Sequence, residues 1–228
     1  MASKKSSPPI PPTTRFYLTL YNTLSFGLWA TCTLRTAFLI ASLAPANELS
    51  LIFEKIHSPL LTTTQSLAIL EIIHSLIGLV RAPVTTTAMQ VASRLLLVWG
   101  VMYPFGGKII GNVSEGTKVG DYAFLGCLAA WGVTECIRYG FFAIQVSGLK
   151  VPAWWIWLRY NTFYVLYPLG IASECTLVYQ ALSPAAEMNP LYWWFFAIVL
   201  GIYVPGSYIL YTHMIAQRRK VMKKTRTE

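Results

Sequence analysis

Six long stretches of this chain carry apolar residues almost without interruption, and chain-breaking residues gather between them. The stretches cover residues 16–43, about 61–80, about 85–105, about 121–146, about 154–182 and about 190–215. The connectors read "APANE", "RAP", "YPFGG", "SGLKVP" and "LSPAAEMNP", rich in the proline and glycine that end helices. A helix rising about 1.5 Å per residue crosses the hydrocarbon of a bilayer in roughly 20 apolar residues. The pattern therefore predicts an all-α fold, a polytopic integral membrane protein whose six transmembrane helices form one bundle over residues 16–215. No internal repeat stands out.

Composition supports this reading. Charged residues make up 12% of the 228 positions and mean hydropathy is +0.51, where a soluble domain carries about twice the charge. Aromatics reach 14% and include many Trp and Tyr, which favour membrane interfaces.

Charge then sets an orientation. Six crossings put both ends on one side. That side holds eleven basic residues: Lys4, Lys5, Arg15, Arg81, Lys150, Arg218, Arg219, Lys220, Lys223, Lys224 and Arg226. The other side holds three, Lys55, Lys108 and Lys118. Cytosolic loops carry the excess of basic residues, so both termini are expected in the cytosol. The basic tail, residues 216–228, reads as a solvated run beside lipid headgroups. Nucleic-acid binding is not expected, for want of a domain that interleaves aromatic and basic residues. The ending "KKTRTE" is similar to a dilysine-type retrieval signal of the endoplasmic reticulum, with Arg226 where a Lys is usual. The polar, proline-rich residues 1–15 are expected to be disordered, and no cleavable signal is visible. Asn112 begins an N-V-S glycosylation triplet on the luminal side, but its loop is short and an unmodified turn is expected.

The four cysteines, Cys32, Cys127, Cys136 and Cys175, lie in apolar segments with no C-x-x-C pair. A disulfide framework or zinc site is not expected, and no metal or cofactor is implied.

Several ionisable residues nevertheless fall inside the spans: Arg35, Glu71, His74, Arg94, Glu135, Arg138, Arg159 and Glu174. Each costs roughly 2.5–3.5 kcal/mol at mid-bilayer, so such groups turn inward and find partners. Glu71–His74 and Glu135–Arg138 are i,i+3 pairs that can meet on one helix face. For Arg35 and His74 the expected role is helix–helix contact or snorkelling.

The fifth span differs. Tyr167 and Glu174 stand seven residues apart, nearly two turns, so they share a face about 10.5 Å apart along the axis. Tyr160 extends the stripe. Pro168 removes a backbone hydrogen bond, and Gly170 permits close approach. No nucleophile triad and no phosphate loop accompany them. What remains is proton transfer, in an elimination or isomerisation on a lipid-like substrate or in a proton-coupled transporter.

Residues 159–174, "RYNTFYVLYPLGIASE", resemble the signature of the very-long-chain (3R)-3-hydroxyacyl-CoA dehydratases, a family also called protein tyrosine phosphatase-like. The pattern Y-P-x-G-x-x-S-E is met at Tyr167, Pro168, Gly170, Ser173 and Glu174. "WGVTECIRYGFF" (131–142) is similar to the family's W-x-x-T-E-x-x-R-Y stretch. Residues 70–101 are similar to its L-E-x-x-H region, departing from it at 81–83, where this chain has Arg-Ala-Pro. The opening "YLTLYNTLSFGLW" (17–29) fits the first span.

The resemblance implies a multi-pass protein of the endoplasmic reticulum. It implies the third step of very-long-chain fatty acid elongation, dehydration of (3R)-3-hydroxyacyl-CoA to trans-2-enoyl-CoA. By carry-over Tyr167 and Glu174 are the catalytic pair, and Gly170, Arg159, Glu135, Arg138, Arg94 and Glu71 support them or position substrate. Which of the pair is base and which is acid stays open. The CoA is expected at the cytosolic face, near Lys150, Arg159 or the tail. Association with the elongase condensing enzyme, the ketoacyl-CoA reductase and the enoyl-CoA reductase is also implied. The alternative is an inactive membrane scaffold of the same fold, against which the intact Tyr167–Glu174 pair speaks. Phosphatase chemistry is excluded, because no Cys is followed by an Arg six residues on.

Overall fold

The computed structural model describes residues 11–225, and no strand occurs among them. Residues 1–10 and 226–228 lie outside the described residues, and with them most of the leading segment and the end of the basic tail. Among the described residues ten α-helices form six rods. The first is α1 (Pro12–Leu43). The second joins α2 (Leu51–Ile56), α3 (Thr62–Ser66) and α4 (Ile69–Leu76), with a kink at His57–Leu61. The third joins α5 (Val84–Leu95) and α6 (Tyr103–Ile109) through a π-helical turn at Leu96–Met102. The fourth is α7 (Val119–Ser147). The fifth is α8 (Ala153–Asn161) followed by α9 (Phe163–Met188), and the sixth is α10 (Pro190–Thr225).

Polar ties at the rod ends show that the rods alternate in direction. At one end Arg15 donates to the Val146 carbonyl at 3.0 Å and to that of Ser147, capping the C-terminus of α7 with a cation. Arg218 donates to Asn161 Oδ1 at 2.9 Å at the same end. At the other end Thr117 donates to the Asn47 carbonyl at 3.2 Å, and Lys108 pairs with Glu187 at 2.9 Å. The start of α7 is fixed there too: Asp121, buried, accepts the backbone N–H groups of Lys118 and Gly111, each at 2.8 Å.

α7 is the central rod. It packs along α1 on one side and α9 on another, and α9 in turn packs along α10. Small residues on facing helices allow close van der Waals contact between the rods. A Cβ on Gly132 would collide with the Thr33 side chain of α1, and one on Gly126 with Ser173 of α9. The core gathers Trp29 and Cys32 from α1, Phe124, Cys127 and Trp131 from α7, Leu177 and Ala181 from α9, and the π-helical turn of the third rod.

The outward faces are apolar. Phe16, Leu34 and Phe38 of α1 and Leu191, Val204 and Tyr208 of α10 are about 70% exposed. Among the described residues two helical stretches, Pro12–Ala46 and Pro190–Lys223, are long and apolar enough to cross a bilayer. α7 is nearly as long, but it carries Asp121, Glu135 and Arg138, and the second and third rods are built of shorter pieces.

The six helical stretches read from the sequence reappear, with shifted edges. The second rod starts at Leu51, because His57, Ser58 and Pro59 interrupt the helix without ending it. Ser58 is extended (φ −121°, ψ 131°), as a residue before proline prefers. His57 is buried and bonded to the Val98 carbonyl at 3.2 Å, which ties the kink to the third rod. α1 begins at Pro12, inside the segment read as disordered, since proline is well suited to the first helical turn. α10 runs on to Thr225 through the basic tail, where cations favour a helix C-terminus.

Candidate active site

Glu174 lies on the buried side of α9 and is only 8% exposed. Its two oxygens have separate donors. The Trp131 indole N–H of α7 donates to Oε1 at 2.8 Å, and the Tyr203 hydroxyl of α10 donates to Oε2 at 2.8 Å. The close approach of α7 and α9 at Gly126 and Ser173 brings Trp131 within reach.

Tyr167, half-buried, points to the same neighbour. Its hydroxyl donates to the Ser207 carbonyl of α10 at 3.2 Å, and its ring stacks on Tyr211 with centroids 5.8 Å apart. Tyr167 and Glu174 therefore share the face of α9 that meets α10, as the spacing predicts. They do not bond each other; α10 answers each at a residue four apart, Ser207 and Tyr203. α9 is continuous through Pro168, and the only break in this rod falls before it, at Thr162. Gly170 is buried beneath this face, and a Cβ there would sit 3.4 Å from Ala130 and 4.0 Å from Glu174 Oε1. A small residue keeps α9 against α7 and leaves the carboxyl room.

Arg94, Glu135, Arg138 and Glu71 form one chain of alternating charge. Arg94 pairs with Glu135. Arg138 donates its Nε to Glu135 Oε2 at 2.7 Å and both terminal nitrogens to Glu71, at 2.8 and 2.7 Å. Tyr139 closes the chain with a hydroxyl bond to Glu71. Two carboxylates meet two guanidiniums, so the cluster is formally neutral. It touches the carboxyl site through Trp131, whose ring lies 5.6 Å from the Arg94 guanidinium.

The expected Glu135–Arg138 contact is present, at 2.5 Å. The Glu71–His74 contact is not: Glu71 takes the bidentate Arg138, and His74 bonds the Tyr17 hydroxyl at 2.8 Å. A two-pronged ionic partner outcompetes a neutral imidazole on the next turn. Arg159 stands apart from Glu174, its guanidinium over the rings of Phe141 and Phe142 at 4.4 and 4.6 Å. No hydrogen bond or ion pair joins it to Tyr167 or Glu174 among the described residues. Arg35 is exposed on α1. No group of His, Cys, Asp and Glu suited to a metal occurs among the described residues.

Tyr203 escapes a reading of the sequence. It is one of several tyrosines on an apolar helix, and nothing local marks the one that faces α9. Trp131 carries more signal, since it opens the W-x-x-T-E block.

The geometry defines a helical protein with a buried carboxyl and a tyrosine on one helix face, held by neutral donors beside a compensated charge cluster. The family described as "Protein tyrosine phosphatase-like protein, PTPLA" matches residues 65–224, and the chain belongs to this family. The chain is 43% identical to a probable very-long-chain (3R)-3-hydroxyacyl-CoA dehydratase of Schizosaccharomyces pombe, covering 91% of this chain and 93% of that one. It is 37% identical to the Arabidopsis thaliana very-long-chain (3R)-3-hydroxyacyl-CoA dehydratase PASTICCINO 2, over 94% and 96%. It is 35% identical to the Caenorhabditis elegans dehydratase hpo-8, over 90% and 94%. No solved structure matches it.

Proposed function

We propose that this protein dehydrates long-chain (3R)-3-hydroxyacyl-CoA to trans-2-enoyl-CoA, the third step of very-long-chain fatty acid elongation. The observation that carries the reading is the shared direction of Tyr167 and Glu174: both project from one face of α9, and both are met by α10. Near-full-length similarity to dehydratases supports the substrate class.

The elimination needs two proton-handling groups. The thioester acidifies the C2–H of the substrate. One member of the pair takes that proton as the C2–C3 double bond forms, and the other gives a proton to the departing C3 hydroxyl, which leaves as water. One proton is taken and one given, and the base then returns its proton through water to the acid, so each turnover closes without a redox partner. A buried carboxyl and a phenol differ enough in proton affinity to divide the two tasks. The Arg94–Glu135–Arg138–Glu71 cluster supports the site by fixing α5, α4 and α7 around Trp131.

The setting we propose is the endoplasmic reticulum membrane, with six rods crossing it and both termini in the cytosol. The gathering of Arg15 and Arg218 at one end of the rods supports that orientation. The acyl chain lies among the helices, and the CoA stays at the basic end. The ketoacyl-CoA reductase that makes the substrate and the enoyl-CoA reductase that consumes the product are its expected neighbours, with the condensing enzyme.

The test is turnover of a long-chain 3-hydroxyacyl-CoA by the purified protein in detergent, with Tyr167→Phe and Glu174→Gln in parallel. Turnover by the parent, and its loss in both variants, supports enzyme and pair together. A folded parent inert at every chain length overturns the activity. Active variants overturn the pair alone.

A further inference from the structure

The two donors on Glu174 are of different kinds. Trp131 belongs to the central rod and is only 2% exposed; its indole N–H donates and never accepts. Oε1 is thus an acceptor at all times, tied to an immobile partner. Tyr203 belongs to α10, the rod that is held mainly by α9 and whose opposite face is bare. A phenol both donates and accepts. It donates to Oε2 when the carboxyl is ionised, and it accepts from Oε2–H when the carboxyl is neutral. Tyr203 can therefore hold Oε2 in both states that an acid–base cycle visits.

We propose that Oε2 is the oxygen of Glu174 that exchanges the proton with substrate, and that Tyr203 is its positioning residue. Oε1, pinned by Trp131, is the anchor. The inference rests on the dehydratase reading for its substrate, but the hold of Tyr203 on Glu174 is independent of that substrate. Rotation about the end of the Glu174 side chain is stopped by two donors on two helices. α10 thus supplies more than a wall of the bundle: it aims the carboxyl. The site sits where α9 and α10 meet, and substrate reaching Oε2 must come in beside the Tyr203 ring or part the two rods there.

The experiment compares the parent, Tyr203→Phe, Trp131→Phe and Tyr208→Phe in detergent, each first shown to be monodisperse with an unchanged thermal midpoint. Tyr208 faces outward on the same helix and serves as control. Misplacing a reacting group by about 1 Å costs on the order of 100-fold in rate. Tyr203→Phe is expected to lower kcat by that order with KM within about twofold, because the group is lost to the transition state and not to substrate binding. Trp131→Phe is expected to do the same, and Tyr208→Phe to do nothing. An unchanged kcat in Tyr203→Phe overturns the proposal and leaves the dehydratase intact. A raised KM at constant kcat overturns it as well, making Tyr203 a substrate contact. Should the parent prove inert on 3-hydroxyacyl-CoA, labelling of Glu174 by a hydrophobic carbodiimide, read by mass spectrometry, decides alone. Several-fold faster labelling in Tyr203→Phe than in Tyr208→Phe upholds the hold on Oε2, and equal rates refute it.

Discussion

Two neighbouring regions bury carboxylates in opposite ways. In the charge cluster, Glu135 and Glu71 are each saturated by guanidinium groups, and the alternation of sign leaves no net charge. At the site, Glu174 has only neutral donors, a Trp and a Tyr. A carboxylate clamped by arginines is tied into the scaffold by charge on charge. One held by an indole and a phenol is positioned with no counter-charge bonded to it. The two share Trp131 as a boundary, with Arg94 over its ring and Glu174 at its nitrogen.

Substitutions should separate the two regions. The largest effect is expected on chemistry. Glu174→Gln or Tyr167→Phe should reduce turnover by about 10³-fold or more while leaving the thermal midpoint in detergent nearly unmoved. Glu135→Ala should do the reverse in kind. It strands Arg94 in the interior and leaves Arg138 with Glu71 alone, at a cost of about 3–5 kcal/mol, read as a large drop in unfolding midpoint or in yield of folded protein. If Glu135→Ala left stability intact, the cluster would not be the scaffold described here. A smaller effect is expected from Arg15→Ala, which removes the cation at the C-terminus of α7: about 0.5 kcal/mol, visible as a slight loss of stability with activity kept. The smallest belongs to Lys108→Ala. Its pair with Glu187 is exposed on both sides and should contribute no more than ~0.5 kcal/mol, less in high salt.

The helical order was readable because long apolar runs and their breakers are local signals. So was the Tyr167–Glu174 stripe, which depends only on helical spacing; both side chains bond α10. What lay beyond the sequence depends on distant partners. Glu71 sits three residues from His74, yet bonds Arg138, 67 positions away. The spacing shows which residues can meet on one helix; it is silent on a stronger partner elsewhere. Arg159 lies in the signature block but settles over Phe141 and Phe142, because a guanidinium stacks well on aromatic rings and α8 lies beside the end of α7. Tyr203 was hidden among Tyr192, Tyr208 and Tyr211, alike in type and separated only by which side of α10 meets α9. The start of the second rod was missed because Pro59 looks like a terminus when it is a bend.

The order of the rods also has a consequence for how the protein is made. A ribosome delivers α7 and α9 before α10, so Glu174 meets Trp131 first and waits for Tyr203 until about thirty more residues have been added. Through that interval a carboxyl buried between helices is only half-partnered. The last rod to be synthesised is therefore the one that supplies the second donor, and a chain released before Tyr203 would leave Glu174 Oε2 without its partner. Such a fragment differs from the finished helix bundle by one open oxygen.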